Sequence, residues 1–202
     1  MNGLETFLLR NRLEEAGYAP SVFHYSSTRA TLSEVAGALA ARLHSFEGPV
    51  HVVGHSLGGL IALETFETEH DLPPGRVVLL GSPVQGSRSA RAIASWSWLG
   101  PSLLGTLAAA ELTRAGSRSW SQPRELGIIA GSRSAGMGRI FAELPEPNDG
   151  TVSVEETRLA GATEHRVLDV SHTGMLLSSR VAASAAAFLA HGRFPAKLRD
   201  AS

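Results

Sequence analysis

Apolar residues along the chain follow two patterns, short unbroken runs and longer segments with helical spacing. Unbroken apolar runs are typical of strands that are buried on both faces of a sheet. Such runs occupy residues 50–53, 77–80, 126–130 and 167–170, and residues 22–25 form a further short candidate strand. Strands of this kind that alternate with helices predict an α/β fold, with a mostly parallel sheet and helices on both faces.

Helices are predicted between these strands. The first covers residues 4–16 and ends at Gly17, and another starts near Leu60, after the strand at 50–53. Thr31 and Glu34 have the spacing of a capping box, which predicts the start of a helix at that point. Two helices have an apolar stripe, which consists of Leu32, Val35, Leu39 and Leu43 in one and Val181, Ala185, Phe188 and Leu189 in the other.

Residues 84–125 interrupt this alternation and are predicted to be a lid or cap insertion in a single domain that covers residues 1–202. Within it, residues 92–110 carry no charge and are long enough to cross a membrane. Gly100, Pro101 and Gly105 break the segment, and several hydroxyl side chains make it more polar. A cap over an apolar site is therefore favoured over a stable membrane span.

Composition excludes several kinds of function. The formal net charge is −1 and the basic residues are scattered, so no nucleic-acid partner is expected. The chain has no cysteine, which excludes disulfides, thiolate metal sites and a cysteine nucleophile. No basic stretch followed by an apolar one stands at the start, so a cytoplasmic location is expected.

The segment Gly54–Gly59 carries the strongest chemical signal. It contains the pattern G-x-S-x-G between a predicted strand and a predicted helix, the arrangement of a nucleophile elbow. A turn this tight needs glycine on both sides of the serine, hence Gly54 and Gly58. The pattern predicts Ser56 as a nucleophile and the amide of Leu57 as a donor to an oxyanion.

A serine nucleophile needs a base, and histidine suits that role near neutral pH. Of the eight histidines, His172 is best placed, because it follows the last predicted strand and so lies at the same sheet edge as Ser56. His165 precedes that strand, and the side chain of His55 should diverge from that of Ser56. His51 and His55 have the spacing of a helical zinc pair but lie on a strand, so no metal or cofactor is expected.

Two carboxylates are candidates to orient His172. Asp169 lies in the predicted last strand, where the alternation of side chains puts it on the face opposite His172. Asp149 lies in a turn-rich loop after the preceding strand and is preferred. The alternative for Asp149 is that it only forms an Asx turn.

The chain resembles lipase- and esterase-type α/β-hydrolases, and in particular small bacterial lipases. The matching stretches are residues 23–26, 52–59, 79–83, 148–157, 171–174 and 188–189. The order Ser56, Asp149, His172 also matches the order in that family. The resemblance implies that Ser56 is the nucleophile, Asp149 the acid and His172 the base.

One part of the family pattern is missing at the front. The family opens with an apolar strand that ends in His-Gly, and the loop after this strand supplies a second oxyanion donor. No such strand or motif precedes the helix at residue 4. We therefore expect an incomplete sheet that weakens the enzyme, lowers its stability or causes self-association.

The resemblance and the motifs together predict a carboxylic-ester hydrolase that works through an acyl-enzyme. Residues of the insertion would favour a small-molecule ester with an apolar acyl chain, namely Trp96, Trp98, Leu99, Leu103 and Leu104. Alternatively, these side chains fill core space beneath a long loop. Two other functions stay open, an acyltransferase with the same three residues and an inactive binding or interaction module.

Overall fold

Four parallel strands form the sheet in the computed structural model, which describes residues 3–25, 30–86, 118–134 and 144–196. The strands are β1 (Val52–His55), β2 (Val77–Leu80), β3 (Leu126–Gly131) and β4 (Glu164–Leu168), and they lie side by side in that order. The described helices are α1 (Gly3–Glu15), α2 (Leu32–His44), α3 (Leu57–Thr68), α4 (Gly174–Leu177) and α5 (Ser179–His191). The predicted α/β class is confirmed.

Alternate side chains of the sheet enter two separate cores. Val77 and Leu79 of β2 pack with α2 and α3, whereas Val78 and Leu80 pack with α1, α4 and α5. All four side chains are fully buried. Because successive residues of a strand point to opposite faces, an unbroken apolar run fits a strand covered on both sides. The helices thus form a layer on each face of the sheet.

The start of α2 agrees with the predicted capping box. Thr31 accepts a hydrogen bond from the Glu34 backbone at 3.3 Å, and the Glu34 carboxylate accepts one from the Thr31 backbone at 2.8 Å. These two bonds satisfy N–H groups that have no partner inside the helix. The apolar stripe of α2 then packs against α3 and the sheet.

The prediction of a strand at residues 22–25 is wrong. This segment has no regular structure, and its Phe23 and Tyr25 rings stack with their centroids 6.1 Å apart and pack against the core on the α2 side. Among the described residues, β1 pairs only with β2 and is an edge strand of the sheet. An extended segment becomes a strand only through hydrogen bonds to a neighbour, and packing of two aromatic rings does not supply them. The expected self-association stays a prediction.

The last strand begins earlier than the pattern predicts. The apolar run indicates residues 167–170, but β4 is Glu164–Leu168. The first three residues of β4 are polar, and β4 is an edge strand of the described sheet. A search for apolar runs therefore does not include them in the strand. His165 therefore lies within β4 and Asp169 just beyond it, contrary to both predictions.

The insertion is described only at its ends. Val84 and Trp120 are buried in the α2-side core, and the Trp120 indole N–H donates to the Arg124 carbonyl at 2.8 Å. The predicted substrate contacts at Trp96, Trp98, Leu99, Leu103 and Leu104 lie outside the described residues. No helix within the described ranges is long and apolar enough to cross a membrane.

Phe188 of α5 gives a test of the core that α1, α4 and α5 form on one face of the sheet. Its ring is fully buried, and its centroid lies 4.8 Å from that of Phe194. Phe188→Ala should lower the free energy of unfolding by about 3–5 kcal/mol in urea denaturation, through lost burial and a residual cavity. Phe7→Ala is the matched control, because Phe7 is 45% exposed. It should change that free energy by less than about 1 kcal/mol, and equal losses in both variants would contradict this packing.

Candidate active site

Ser56 lies in a strained turn between β1 and α3. Its φ is 54° and its ψ is −123°, and it is the only non-glycine residue with a positive φ in the described part of the chain. Such a backbone costs on the order of 1–3 kcal/mol and persists only where the surroundings enforce it. Here the Ser56 N–H donates to the Leu80 carbonyl at 2.9 Å, and the Ser56 carbonyl accepts from the Gly59 N–H at 3.0 Å.

Close packing around this turn requires glycine at two positions. A Cβ on Gly54 would lie 2.7 Å from Gly59 Cα, and a Cβ on Gly59 would overlap Ser82 Oγ. At Gly58, apart from its chain neighbours and the adjacent backbone of its own helix, no described atom lies within 4 Å of such a Cβ. The prediction that the turn needs glycine on both sides of Ser56 therefore agrees with the structure at Gly54 and not at Gly58. The second constrained glycine is Gly59.

Helix α3 begins at Leu57, directly after Ser56. The first N–H groups of a helix have no partner inside it, and the helix dipole makes this end attractive to negative charge. The first turn of α3 contains no acidic residue that would occupy this end. The Leu57 amide is thus placed as the sequence predicts, while its role as an oxyanion donor stays a prediction.

Asp149 and His172 meet directly. The Nδ1 atom of His172 lies 2.7 Å from Oδ2 of Asp149, with side chains that are 13% and 1% exposed, respectively. The His172 backbone N–H also donates to the Asp149 carbonyl at 3.0 Å. A proton on Nδ1 that is donated to the carboxylate leaves the lone pair of the neutral ring on Nε2. This nitrogen is the one that can accept a proton from a nucleophile.

The other oxygen of the Asp149 carboxylate is held by its own loop. Oδ1 accepts hydrogen bonds from the backbone N–H groups of Thr151 at 2.9 Å and Val152 at 2.7 Å. Asn148, also buried, accepts from the Gly150 N–H at 2.9 Å. The Asx turn considered as an alternative is therefore present, and Asp149 contacts His172 at the same time. Three donors satisfy a carboxylate that is almost free of solvent.

Two glycines leave room for Asp149 at the sheet edge. A Cβ on Gly131, at the end of β3, would lie 2.7 Å from Asp149 Cβ and would overlap the Val170 carbonyl oxygen. A Cβ on Gly81, just after β2, would lie 3.1 Å from Asp149 Oδ2. Sequence reasoning missed both positions. A glycine that directly follows an apolar strand run was the available signal.

Asp169, the other candidate acid, does not contact His172. Its carboxylate is 65% exposed and pairs with Arg133 at 2.8 Å. The hydrogen bond from Arg133 lowers the pKa of Asp169 below its usual value. Arg133 and Asp169 line an open cleft of about 290 Å³ that also includes Ser171 and Arg180 but neither Asp149 nor His172. Of the two candidate carboxylates, Asp149 is the one that contacts His172, and its role as the acid stays a prediction.

His55 makes a contact that the sequence does not predict. Its Nε2 atom lies 3.0 Å from the His172 carbonyl, and the two ring centroids are 4.7 Å apart. Its Nδ1 atom is shielded from solvent and has no hydrogen-bond partner among the described residues. Loss of solvation, and next the proximity of His172, lower the pKa of His55 to about 3. His55 is therefore neutral around pH 7, with its proton on Nε2.

The remaining histidines near the sheet have structural partners. His51 Nδ1 accepts from the Arg76 N–H at 3.0 Å, and His165 Nε2 lies 2.8 Å from the Thr157 hydroxyl. Within the described ranges, no group of three histidine, aspartate or glutamate side chains is arranged to hold a metal ion.

The chain matches one family model and is similar in fold to several solved structures. A sequence model described as "Alpha/beta hydrolase family" matches residues 5–200. The fold is similar to that of the mature Bacillus licheniformis lipase BlEst2, with a TM-score of 0.64 and 19% identity over 90% of this chain and 82% of the lipase. A search of curated protein sequences gives no match.

Two further solved structures are similar over much of this chain. The metagenomic carboxyl esterase MGS0156 has a TM-score of 0.67 and 20% identity, over 81% of this chain and 57% of the esterase. Phospholipase PlaB from Legionella pneumophila has a TM-score of 0.62 and 15% identity, over 91% of this chain and 53% of the phospholipase. This chain thus spans little more than half the length of these two neighbours.

The neutral state of His55 predicts a pH dependence of stability. Its pKa is about 3 in the folded chain and near 6.5 when unfolded, so the unfolded state binds more protons between these values. His55 therefore lowers the free energy of unfolding as the pH falls below about 6.5. Between about pH 7 and pH 5 the wild type should lose about 2 kcal/mol more than His55→Gln in urea denaturation. Parallel pH dependences of the two proteins would contradict the burial of a neutral His55.

Proposed function

The chain belongs to the alpha/beta hydrolase family, and from that premise we propose that it is a serine hydrolase of carboxylic esters. The observation that carries the proposal is the 2.7 Å contact between His172 and the buried Asp149. It lies at the sheet edge where Ser56 occupies a strained turn at the start of a helix. A nucleophile, a base and a buried carboxylate that orients the base are the parts that this chemistry requires.

The proposed reaction has two halves. Ser56 Oγ attacks the ester carbonyl carbon while His172 Nε2 accepts the hydroxyl proton. The bond to the leaving alcohol then breaks, and the alcohol takes the proton from His172. In the second half His172 removes a proton from water as the water attacks the acyl carbon. The bond between that carbon and Ser56 Oγ then breaks, Oγ takes the proton back from His172, and the acid leaves. Asp149 accepts the Nδ1–H hydrogen bond of His172 in both halves and stabilises the imidazolium.

Negative charge develops on the carbonyl oxygen during each attack. The N–H of Leu57 at the start of α3 is the proposed donor to this oxygen, together with one further donor. Such donors act at a fixed position in a site that excludes water, and removal of one typically costs about 10²–10³ in rate. The N-terminal end of α3 therefore has a direct part in the proposed catalysis.

The substrate is proposed to be a small-molecule ester with an apolar acyl chain. The apolar side chains of the insertion, including Trp96, Trp98, Leu99 and Leu103, support this choice through their composition. The names of the structural neighbours, a lipase, a carboxyl esterase and a phospholipase, support an ester as the substrate class.

Ester hydrolysis by serine variants tests the proposed function. Ser56→Ala and His172→Ala should each lower kcat/KM for p-nitrophenyl butyrate by about 10³-fold or more, since such residues act as a unit. Ser45→Ala is the control, because Ser45 lies at the exposed C-terminal end of α2. Full activity in folded Ser56→Ala would contradict the serine mechanism, and absence of hydrolysis in the wild type would favour a binding module.

A pair of aspartate variants tests the orienting carboxylate. Asp149→Asn should lower kcat by about 10³-fold or more, because an amide holds His172 in the wrong tautomer. Asp169→Asn makes the same chemical change in an exposed ion pair and should alter kcat less than about threefold. The opposite ranking, in variants with unchanged circular dichroism spectra, would assign the role to Asp169.

A further inference from the structure

The loop that carries His172 is fixed from two directions. On one side Asp149 binds both the ring Nδ1 and the backbone N–H of His172. On the other side His55 binds the His172 carbonyl, with Nε2 and the oxygen 3.0 Å apart. His55 is the last residue of β1 and directly precedes Ser56. One hydrogen bond thus connects the strand of the proposed nucleophile to the backbone of the proposed base.

The hydrogen bond explains why a histidine suits this position. Its ring packs against the His172 ring at 4.7 Å with an interplanar angle of 46°, a contact that an apolar ring would also make. Its Nδ1 atom has no partner among the described residues and is shielded from solvent, which is unfavourable. A phenylalanine would avoid that unsatisfied nitrogen. The gain that a histidine offers here is the Nε2–H donor to the His172 carbonyl.

We propose that His55 is a positioning residue for His172, which sets the base relative to the neighbouring Ser56 through a hydrogen bond to the His172 carbonyl and ring packing. The inference rests on the proposed function, in which His172 serves Ser56 as its base. His55 itself transfers no proton in this scheme. Its contribution is geometric, and small misplacements of catalytic groups have large effects on rate.

Two substitutions of His55 separate the hydrogen bond from the packing. His55→Phe keeps a ring and removes the donor, whereas His55→Gln keeps an N–H donor on a flexible side chain. We expect His55→Phe to lower kcat for p-nitrophenyl butyrate by about 10- to 100-fold with KM changed less than about twofold. His55→Gln should recover at least half of the lost factor on a logarithmic scale.

His51→Phe is the matched control on the same segment. It removes a comparable hydrogen bond, the one that His51 Nδ1 accepts from the Arg76 backbone. His51 has no contact with His172 in the structure, so His51→Phe should leave kcat unchanged even if it lowers Tm. A kcat for His55→Phe equal to that of the wild type would overturn the proposal. Equal losses of kcat in His55→Phe and His51→Phe would also overturn it, because they would indicate a general structural effect.

A spectroscopic measurement distinguishes failure of this inference from failure of the proposed function. Long-range ¹H–¹⁵N spectra of histidine-labelled protein should show His55 as a neutral ring with its proton on Nε2. The Nδ1–H signal of His172 should exchange faster with water in His55→Phe than in the wild type. These signals do not depend on ester hydrolysis, so an inactive wild type that shows them would contradict only the proposed function. Protonation of His55 on Nδ1 would overturn the positioning role.

Discussion

A carboxylate can be buried only if other groups replace the water around it, and this requirement organises the carboxyl edge of the sheet. Asp149 is almost completely buried, and its two oxygens accept hydrogen bonds from two backbone N–H groups and from His172. Its loop must therefore close tightly on itself, and His172 must lie against it. Gly81 and Gly131 at the ends of two strands provide the necessary space.

The serine turn is a second constraint that depends on the same sheet. Ser56 has a backbone conformation that few residues adopt, and its N–H donates a hydrogen bond to the carbonyl of Leu80, the last residue of β2. Gly54 and Gly59 allow α3 to pack close enough for the turn to form. His55 lies between the serine turn and the loop of His172, since it is the last residue of β1 and contacts the His172 carbonyl. His55 thus connects the strained turn at Ser56 to the loop of His172, the residue that contacts the buried Asp149.

Local signals in the sequence were sufficient for much of this arrangement. The capping box at Thr31 and the glycine-flanked Ser56 are encoded within a few residues, and the structure has both. Asp149 and His172 were predictable because each follows a strand, and parallel strands bring such residues to one edge.

Features that depend on distant partners were not predictable in the same way. Residues 22–25 have the composition of a strand, but a strand also needs a neighbour to pair with, and none is present among the described residues. The apolar pattern did not predict the first residues of β4, because they are polar and β4 is an edge strand of the described sheet. The contact of His55 with His172 joins residues 117 positions apart, and no local motif records it. The close approach of Gly59 to Ser82 likewise joins residues that are distant in the sequence, and no local motif indicates it.

The central claim is that Ser56 is an activated nucleophile, and covalent labelling tests it most directly. A fluorophosphonate reacts with serine hydroxyl groups that a neighbouring base activates. Intact-mass spectrometry after incubation with this reagent should show a single adduct, and peptide mapping should locate it on Ser56. The adduct should not form in His172→Ala, because the hydroxyl then lacks its base. An unlabelled wild type, or a label on another serine, would contradict the account.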